Sequence, residues 1–196
     1  MNQINIRYHN MAIGEVVLSS FQNRLCFLDF RERNGRAAID YRIGRALKAE
    51  LVEQDDEVLA KTCSQLDEYL EGHRARFDIP LLMVGTDFQK RVWNALMGIP
   101  YGATATYGQI AQGIGNARAF RAVGNACGAN PISIIVPCHR VIGRDRQLVG
   151  YGGGLSLKER LLELERSYVS TLARYGCGVW RRDDIAERPG HLRKVI

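Results

Sequence analysis

The sequence predicts a mixed fold: a small α/β unit at residues 1–80, a mainly helical unit at residues 81–167 and a C-terminal extension at residues 168–196. Three observations support this order. Short runs of strand-forming residues alternate with turn residues near the start of the chain. Two short helical patterns joined by a glycine turn follow, which is the pattern of a helix-turn-helix. A brief apolar run then ends at Pro137, which predicts a short buried strand.

The N-terminal unit is predicted to contain three strands and one clear helix. The strands are Ile4–Tyr8, Glu15–Ser19 and Arg24–Phe30. Residues 36–53 are predicted to be helical in part. The clear helix is Glu57–Leu70, because apolar side chains recur along it at helical spacing and form one buried stripe. The stripe consists of Leu59, Cys63, Leu66 and Leu70.

The histidines and cysteines of the N-terminal unit are the residues to consider for metal binding. Four residues of the N-terminal unit could in principle bind zinc: His9, Cys26, Cys63 and His73. Their spacing fits no compact ligand motif, so we predict neither a metal nor a cofactor.

The chain has five cysteines, an odd number at irregular spacing, which indicates a reducing compartment. Because no signal-peptide pattern and no apolar run of membrane-spanning length is evident, we expect a cytoplasmic protein.

Positive charge is concentrated in the second half of the chain. Residues 86–167 hold 10 Lys and Arg against 5 Asp and Glu, whereas residues 1–85 hold 11 against 13. A basic half indicates a polyanionic partner, and nucleic acid is favoured over membrane because no basic amphipathic helix is evident. A basic surface that serves only solubility is the alternative.

Helix signals define the second unit. Thr86 and Gln89 match a capping box, which predicts a helix through Met97. The helix-turn-helix consists of a short helix, Tyr107–Gln112, and a second helix over about 117–127.

The second of these helices combines small residues with arginines. Its predicted core face carries Phe120, Val123 and Cys127. The opposite face carries Arg118, Arg121 and Asn125. Small side chains let a helix backbone approach a nucleic-acid groove, into which long basic side chains reach. The alternative is an ordinary solvated face on an alanine-rich helix.

A cysteine and a histidine follow the apolar run Ile134–Val136. Cys138, at the end of a rigid strand beside the imidazole of His139, is a candidate nucleophile because a neighbouring base can take its proton. The alternative is that Cys138 is a small buried hydrophobe, as most free cysteines are. Glycines crowd residues 149–154, which indicates either a close backbone approach or a flexible connector.

The last predicted helix, Leu157–Arg166, begins at a second capping box. Glu165 lies in the middle of its buried arc, and an unpaired buried carboxylate is unfavourable, so Glu165 should have a partner. His139 is one candidate, and an arginine or solvent at the helix end is the other. Lys158 shares the arc, but from the first turn its ammonium group can reach solvent.

The order of these motifs resembles the methylated-DNA–protein-cysteine methyltransferases, the O6-alkylguanine-DNA alkyltransferases. The motifs are Y-G-Q-I-A, R-A-V-G, A-N-P, I-I-V-P-C-H-R-V, G-Y-G-G-G and a leucine-rich helix that ends at Glu165. The resemblance is dense from Thr86 to Glu165 and does not reach residues 168–196. It implies a ribonuclease-H-like N-terminal domain. It also implies repair by direct, irreversible alkyl transfer from O6-alkylguanine in DNA to a cysteine, with O4-alkylthymine as a further candidate substrate.

The resemblance assigns roles at the reaction centre. Cys138 is the implied alkyl acceptor, His139 the base that acts through a water, and Glu165 the group that holds the imidazole tautomer. Asn130 matches the asparagine that joins the DNA-binding helix to the active-site strand by hydrogen bonds.

The resemblance also assigns residues that contact DNA. Arg121 matches the arginine that fills the space left by the flipped nucleotide, and Tyr107 the tyrosine that crowds the target phosphate. Tyr151 is implied to form a wall of the pocket. The other residues expected on the DNA or substrate side are Arg118, Asn125, Val141 and Gly152. Gly152 departs from well-known relatives, which often have serine there, so a side-chain role at this position would be lost.

The expected partner is double-stranded DNA with alkylated bases, bound by a monomer mainly through phosphate contacts. One turnover per molecule is expected, because the sequence offers no group to cleave a thioether on Cys138. Two other interpretations compete. The first is a non-enzymatic DNA binder, either a helix-turn-helix regulator or a lesion sensor without transfer activity, and the presence of Cys138 argues against it. The second is a Cys–His acyl hydrolase, which would need an oxyanion hole and no arginine-bearing helix.

Overall fold

The computed structural model of the chain describes residues 2–33 and 35–175, with side chains up to residue 170. A four-stranded sheet with two helices forms the N-terminal half, and a mainly helical half with a small two-stranded sheet follows. The predicted mixed fold class is therefore confirmed. The last helix continues into the predicted extension 168–196, of which residues 176–196 lie outside the described part of the chain.

The N-terminal sheet contains the three predicted strands, each at least as long as expected, and a fourth. They are β1 (Asn2–Met11), β2 (Gly14–Phe21), β3 (Arg24–Phe30) and β4 (Ala49–Glu53), in the order β3-β2-β1-β4. β1, β2 and β3 are antiparallel neighbours. Gln22 and Asn23, between β2 and β3, have φ values of 48° and 57°. This left-handed pair is typical of a two-residue hairpin turn whose twist matches that of the strands.

The fourth strand was not predicted. Residues 36–53, expected to be helical in part, form helix α1 (Arg36–Leu47) and then β4, which pairs in parallel with β1. The strand sequence A-E-L-V-E shows little apolar alternation, and most of the strand is exposed. Pairing with the edge of β1, a contact distant in sequence, therefore determines its conformation.

The outer edge of β3 joins the two halves of the molecule. Leu25 is hydrogen-bonded to the segment 80–82 and Leu28 to the segment 131–133, with N···O distances of 2.7–2.9 Å. Helix α2 (Glu57–Leu70) packs its predicted stripe into a hydrophobic core that contains residues of both halves. The sheet therefore holds the segment that precedes the cysteine.

The second half has four α-helices and a small parallel sheet within the described residues. They are α3 (Asp87–Met97), β5 (Ala105–Thr106), α4 (Tyr107–Gly113), α5 (Phe120–Gly128), β6 (Val141–Ile142) and α6 (Leu155–Tyr175). Both hydrogen bonds of the predicted capping box between Thr86 and Gln89 are present at the start of α3. Helices α4 and α5 are the predicted helix-turn-helix pair.

Helix α5 begins later than predicted, and one core prediction is wrong as a result. Arg118 lies in the turn before the helix, and Phe120, expected to be buried, is the first helical residue and is 48% exposed. Val123 and Cys127 are buried as predicted. The buried stripe therefore starts in the second half of the first turn, and the residue that begins the helix is left uncovered.

The run Ile134–Val136, predicted to be a short strand, forms tight turns instead. Ile134 has a φ of 70°, and the Val136 N–H donates to the Ile132 carbonyl at 3.0 Å. A single 3-10 turn, Cys138–Arg140, follows. The prediction failed because a short apolar run indicates burial without distinguishing a strand from other buried backbone.

Between residues 2 and 175, Asn34 aside, no helix is both long and apolar enough to cross a membrane. In the same part of the chain, no group of three or more His, Cys, Asp or Glu side chains is arranged to hold a metal ion. His9, one of the four residues considered for zinc, has Asp67 as its partner at 2.8 Å.

Candidate active site

Cys138 lines a cavity of about 260 Å³ between the helix-turn-helix and the glycine-rich segment. The lining residues are Tyr107, Gly124, Cys127, Gly128, Cys138, Gly150, Tyr151 and Gly152. Cys138 is only 6% exposed, so a reactant must enter the cavity to reach the sulfur. A wider cleft of about 450 Å³ between the sheet and α6 is lined by arginines and glutamates but by neither cysteine nor histidine, and it offers no comparable nucleophile.

The amide of Asn130 holds both the sulfur and the backbone around it. Its Nδ2 donates to the Val136 carbonyl at 2.8 Å and lies 3.3 Å from Cys138 Sγ. Its Oδ1 accepts the Ile132 N–H at 3.0 Å. The fully buried Asn130 thus connects the segment after α5 to the turn that carries the cysteine.

The Cys138 thiol is protonated at rest. Burial raises its pKa, while the hydrogen bond from Asn130 and the positive charges of Arg33 and Lys158 act in the opposite direction without overcoming burial. Because the thiolate is the nucleophilic form, a base must take the proton before the sulfur can attack.

His139 has the properties of such a base. Its Nε2 bonds to Glu165 Oε1 at 2.9 Å, whereas its buried Nδ1 has no hydrogen-bond partner among the described residues. A carboxylate only accepts hydrogen bonds, so the ring proton belongs on Nε2, and Nδ1 can accept a second one. Burial lowers the pKa of His139, and the imidazole is therefore neutral at pH 7.

Glu165 is the centre of a buried polar network. Its carboxylate accepts hydrogen bonds from His139, from Arg140 at 2.8–3.1 Å, from the Tyr69 hydroxyl at 2.7 Å and from the Gly102 N–H at 2.8 Å. Burial would raise the pKa of Glu165, but the hydrogen bonds from His139 and Arg140 and the positive charge of Arg140 outweigh it and hold the pKa below its usual range. The sequence left a histidine and an arginine as alternative partners, and the structure has both.

Arg33 reaches the same region from the N-terminal half and was not predicted. Its buried guanidinium pairs with Asp29 and donates to the carbonyls of Gly128 and Asn130. A Cβ atom at Gly152 would lie 2.7 Å from Arg33 Nε and 2.8 Å from Cζ, closer than non-bonded atoms normally approach. The glycine at position 152 therefore leaves the space that this arginine occupies.

Lys158 is fully buried, so the expectation that it reaches solvent was wrong. Its ammonium group donates to the carbonyls of Val141, Val149 and Gly150. The segment before α6 folds back over the first turn of the helix and presents these carbonyls to the amine, which replaces its contact with water. Lys158 therefore ties the glycine-rich segment to the start of α6.

The residues predicted to contact DNA lie near the cavity or on the exposed surface of the helix-turn-helix, with one exception. Tyr107 and Tyr151 line the cavity. The exposed residues are Arg118, Arg121 and Asn125. The exception is Val141, which is fully buried in β6 and is not among the residues that line the cavity.

Two family models match consecutive parts of the chain. Residues 87–167 match the DNA binding domain of 6-O-methylguanine DNA methyltransferase, and residues 6–83 match its ribonuclease-like domain. The two matches correspond to the helical half with the cavity and to the sheet half with Arg33.

Individual proteins of this kind are similar over much of the chain. A methylated-DNA–protein-cysteine methyltransferase of Mycobacterium leprae is 57% identical over 112 residues, which are 57% of this chain and 68% of the relative. A protein of the same name from Methanosarcina barkeri is 45% identical over 155 residues, or 79% of this chain and 92% of the relative. The crystal structure of Mycobacterium tuberculosis OGT in complex with DNA has a TM-score of 0.74 at 43% identity, covering 84% of this chain and 94% of that one. With the matches to both halves, these similarities show that the chain belongs to the methylated-DNA–protein-cysteine methyltransferases.

Proposed function

We propose that this protein repairs double-stranded DNA by transferring the alkyl group of O6-alkylguanine to Sγ of Cys138. The observation that supports this most directly is a buried thiol, lining a cavity, that is followed in sequence by an imidazole held by a buried carboxylate. The Nδ1 atom of that imidazole, in His139, lacks a partner among the described residues. A thiol beside an oriented base is the arrangement that nucleophilic catalysis requires.

The reaction begins with proton transfer from the Cys138 thiol to Nδ1 of His139 through a bridging water. Glu165 accepts the Nε2–H bond and stabilises the imidazolium that forms. The thiolate then attacks the alkyl carbon, so an S–C bond forms and the C–O6 bond breaks. The electron pair of that bond stays on the guanine, which gains a proton in place of the alkyl group. The proton that the thiol releases equals the proton that the guanine gains, so the overall reaction neither consumes nor releases a proton.

Access to the sulfur requires the damaged nucleotide to leave the duplex. Cys138 lies inside the cavity, and a base within a stacked helix cannot enter it. In this proposal Tyr107, Tyr151 and Gly152 contact the extruded nucleotide. Arg121 takes the vacated place in the stack, and the exposed residues near it contact the backbone.

We further propose that the protein acts as a monomer, once per molecule, without a cofactor. Among the residues that the structure describes, none near the cavity is suited to cleaving a thioether on Cys138. O4-alkylthymine presents a similar alkylated oxygen and is a second candidate substrate. A free reactive thiol is compatible with a reducing cytoplasm. Because phosphate contacts dominate, binding to DNA should weaken as salt increases.

The test is the stoichiometry of repair. The protein is mixed with an excess of duplex DNA that contains O6-methylguanine, and restored guanine is counted per protein molecule. The proposal predicts one guanine per molecule, none for Cys138→Ala and an unchanged yield for Cys127→Ala. Cys127 is the matched control because it is a second buried thiol in the same cavity. Repeated turnover, or repair by Cys138→Ala, would contradict the proposal.

A further inference from the structure

Phe120 is a large aromatic side chain that the fold leaves exposed. It is 48% exposed at the first position of α5 and is not part of the hydrophobic core. The other five phenylalanines of the chain are buried or half-buried. In proteins that bind nucleic acid, exposed aromatic side chains serve as surfaces on which bases stack.

The position of Phe120 relates it to the cavity. Phe120, Gly124 and Gly128 lie at successive i, i+4 positions of α5, so they share one row along the helix. Gly124 and Gly128 line the cavity that contains Cys138. At a rise of about 1.5 Å per residue, Phe120 lies about 6 Å along the helix from Gly124. That separation equals one to two of the steps of about 3.4 Å between successive bases of a strand, a reach that suits a residue acting beside the extruded nucleotide.

The charges around Phe120 indicate what it contacts. The guanidinium of Arg121 lies 5.8 Å from the centre of the Phe120 ring, and Arg118 is exposed in the turn just before the helix. Two arginines beside an exposed ring match a partner that combines phosphates with flat stacking surfaces. Duplex DNA has both.

We propose that Phe120 inserts against the base pair next to the extruded nucleotide and keeps the opened stack from closing. The inference rests on the proposed function, because it assumes an extruded nucleotide in the Cys138 cavity. Apolar side chains that enter between base steps unstack and kink the duplex, and an aromatic ring also gains stacking energy with any base. Phe120 thus promotes base extrusion and takes no part in the chemistry at the sulfur.

The test compares three substrates: duplex DNA with O6-methylguanine, single-stranded DNA with the same base, and a free O6-alkylguanine base that needs no extrusion. For Phe120→Ala, the transfer rate from duplex DNA should fall by about five- to 150-fold, the effect of one base–aromatic stack. The rate of transfer from the free base should stay within about twofold of the wild-type rate. Such a change is smaller than the roughly fivefold effect that loss of even the weakest base–aromatic stack would have. Phe120→Trp should restore transfer from the duplex.

The matched control is Tyr41→Ala, because Tyr41 is an exposed aromatic residue, 68% exposed, on α1 of the other half. It should leave all three rates unchanged. An unchanged duplex rate in Phe120→Ala, or an equal loss with duplex and free base, would overturn the inference. Failure of the proposed function is distinct, because the wild-type protein would then transfer nothing from any of the three substrates.

Discussion

Replacing Gly152 by alanine adds one carbon atom where the N-terminal half meets the active site. That carbon would lie 2.7 Å from Arg33 Nε, so the two must separate by about 0.7 Å to reach ordinary contact. Arg33 cannot turn away freely, because it is bound to Asp29 and to the carbonyls of Gly128 and Asn130. Hydrogen bonds from a charged group are worth about 1.5–3 kcal/mol each, and overpacking typically costs about 1–3 kcal/mol. We expect the free energy of unfolding to fall by about 2 kcal/mol.

Thermal and urea unfolding measure this loss. For a chain of this size, about 2 kcal/mol lowers the melting temperature by about 4–8 °C. The control is Gly113→Ala, at the end of α4, where an added Cβ meets nothing within 4 Å and no loss is expected. Arg33→Lys keeps a positive charge beside Asp29 and removes the planar group that meets the new methyl.

The double variant decides whether Arg33 is the cause. If the added methyl group clashes with Arg33, Gly152→Ala should lower the free energy of unfolding by at least about 1 kcal/mol less in the Arg33→Lys background than in the wild type. If Gly152→Ala unfolds at the wild-type temperature, or if the effects of the two substitutions are additive, a clash with Arg33 is not the cause.

Two further predictions concern the polar network. Glu165→Gln removes the buried charge that neutralises Arg140, so the free energy of unfolding should fall by about 3–5 kcal/mol. Loss of the oriented base should also slow alkyl transfer by about 100-fold or more. The exposed Glu163→Gln should change neither quantity in unfolding and rate assays, and a near-wild-type rate for Glu165→Gln would contradict the network's role. Because burial lowers the pKa of His139, the base should stay neutral between about pH 7.5 and about pH 6.5. The rate of alkyl transfer should therefore not change over this range. The unfolded chain then binds more protons at this histidine, so its contribution to stability decreases as the pH falls below about 6.5. A rate profile whose acidic midpoint lies at or above that pH would contradict a base whose pKa is lowered by burial.

Local signals in the sequence predicted local structure well. The capping box at Thr86 and Gln89 marked the start of α3, because both hydrogen bonds lie within four consecutive residues. The apolar stripe of α2 was found for the same reason, since helical spacing determines which side chains share a face. The need of Glu165 for a partner followed from its position on a buried face alone.

Contacts between distant parts of the chain were beyond such signals. Tyr69 is 96 positions from Glu165, and Arg33 is 97 positions from Asn130. Nothing in the residues near Tyr69 or Arg33 indicates these contacts, because the packing of the two halves creates them. The error at Phe120 had a different origin: its spacing from Val123 fitted the core face, but no neighbour covers the start of the helix.

The most direct test of the central claim is the mass of the peptide that contains Cys138 after reaction with duplex DNA bearing O6-methylguanine. No lysine or arginine lies between Arg121 and Arg140, so a tryptic digest leaves Cys127 and Cys138 in one peptide and its fragment ions must assign the site. We predict that this peptide gains the mass of one methyl group in place of a proton, in amounts equal to the guanine restored, with the methyl group on Cys138 and none on Cys127. Restored guanine with an unmodified Cys138 peptide, or a methyl group found on Cys127, would contradict it.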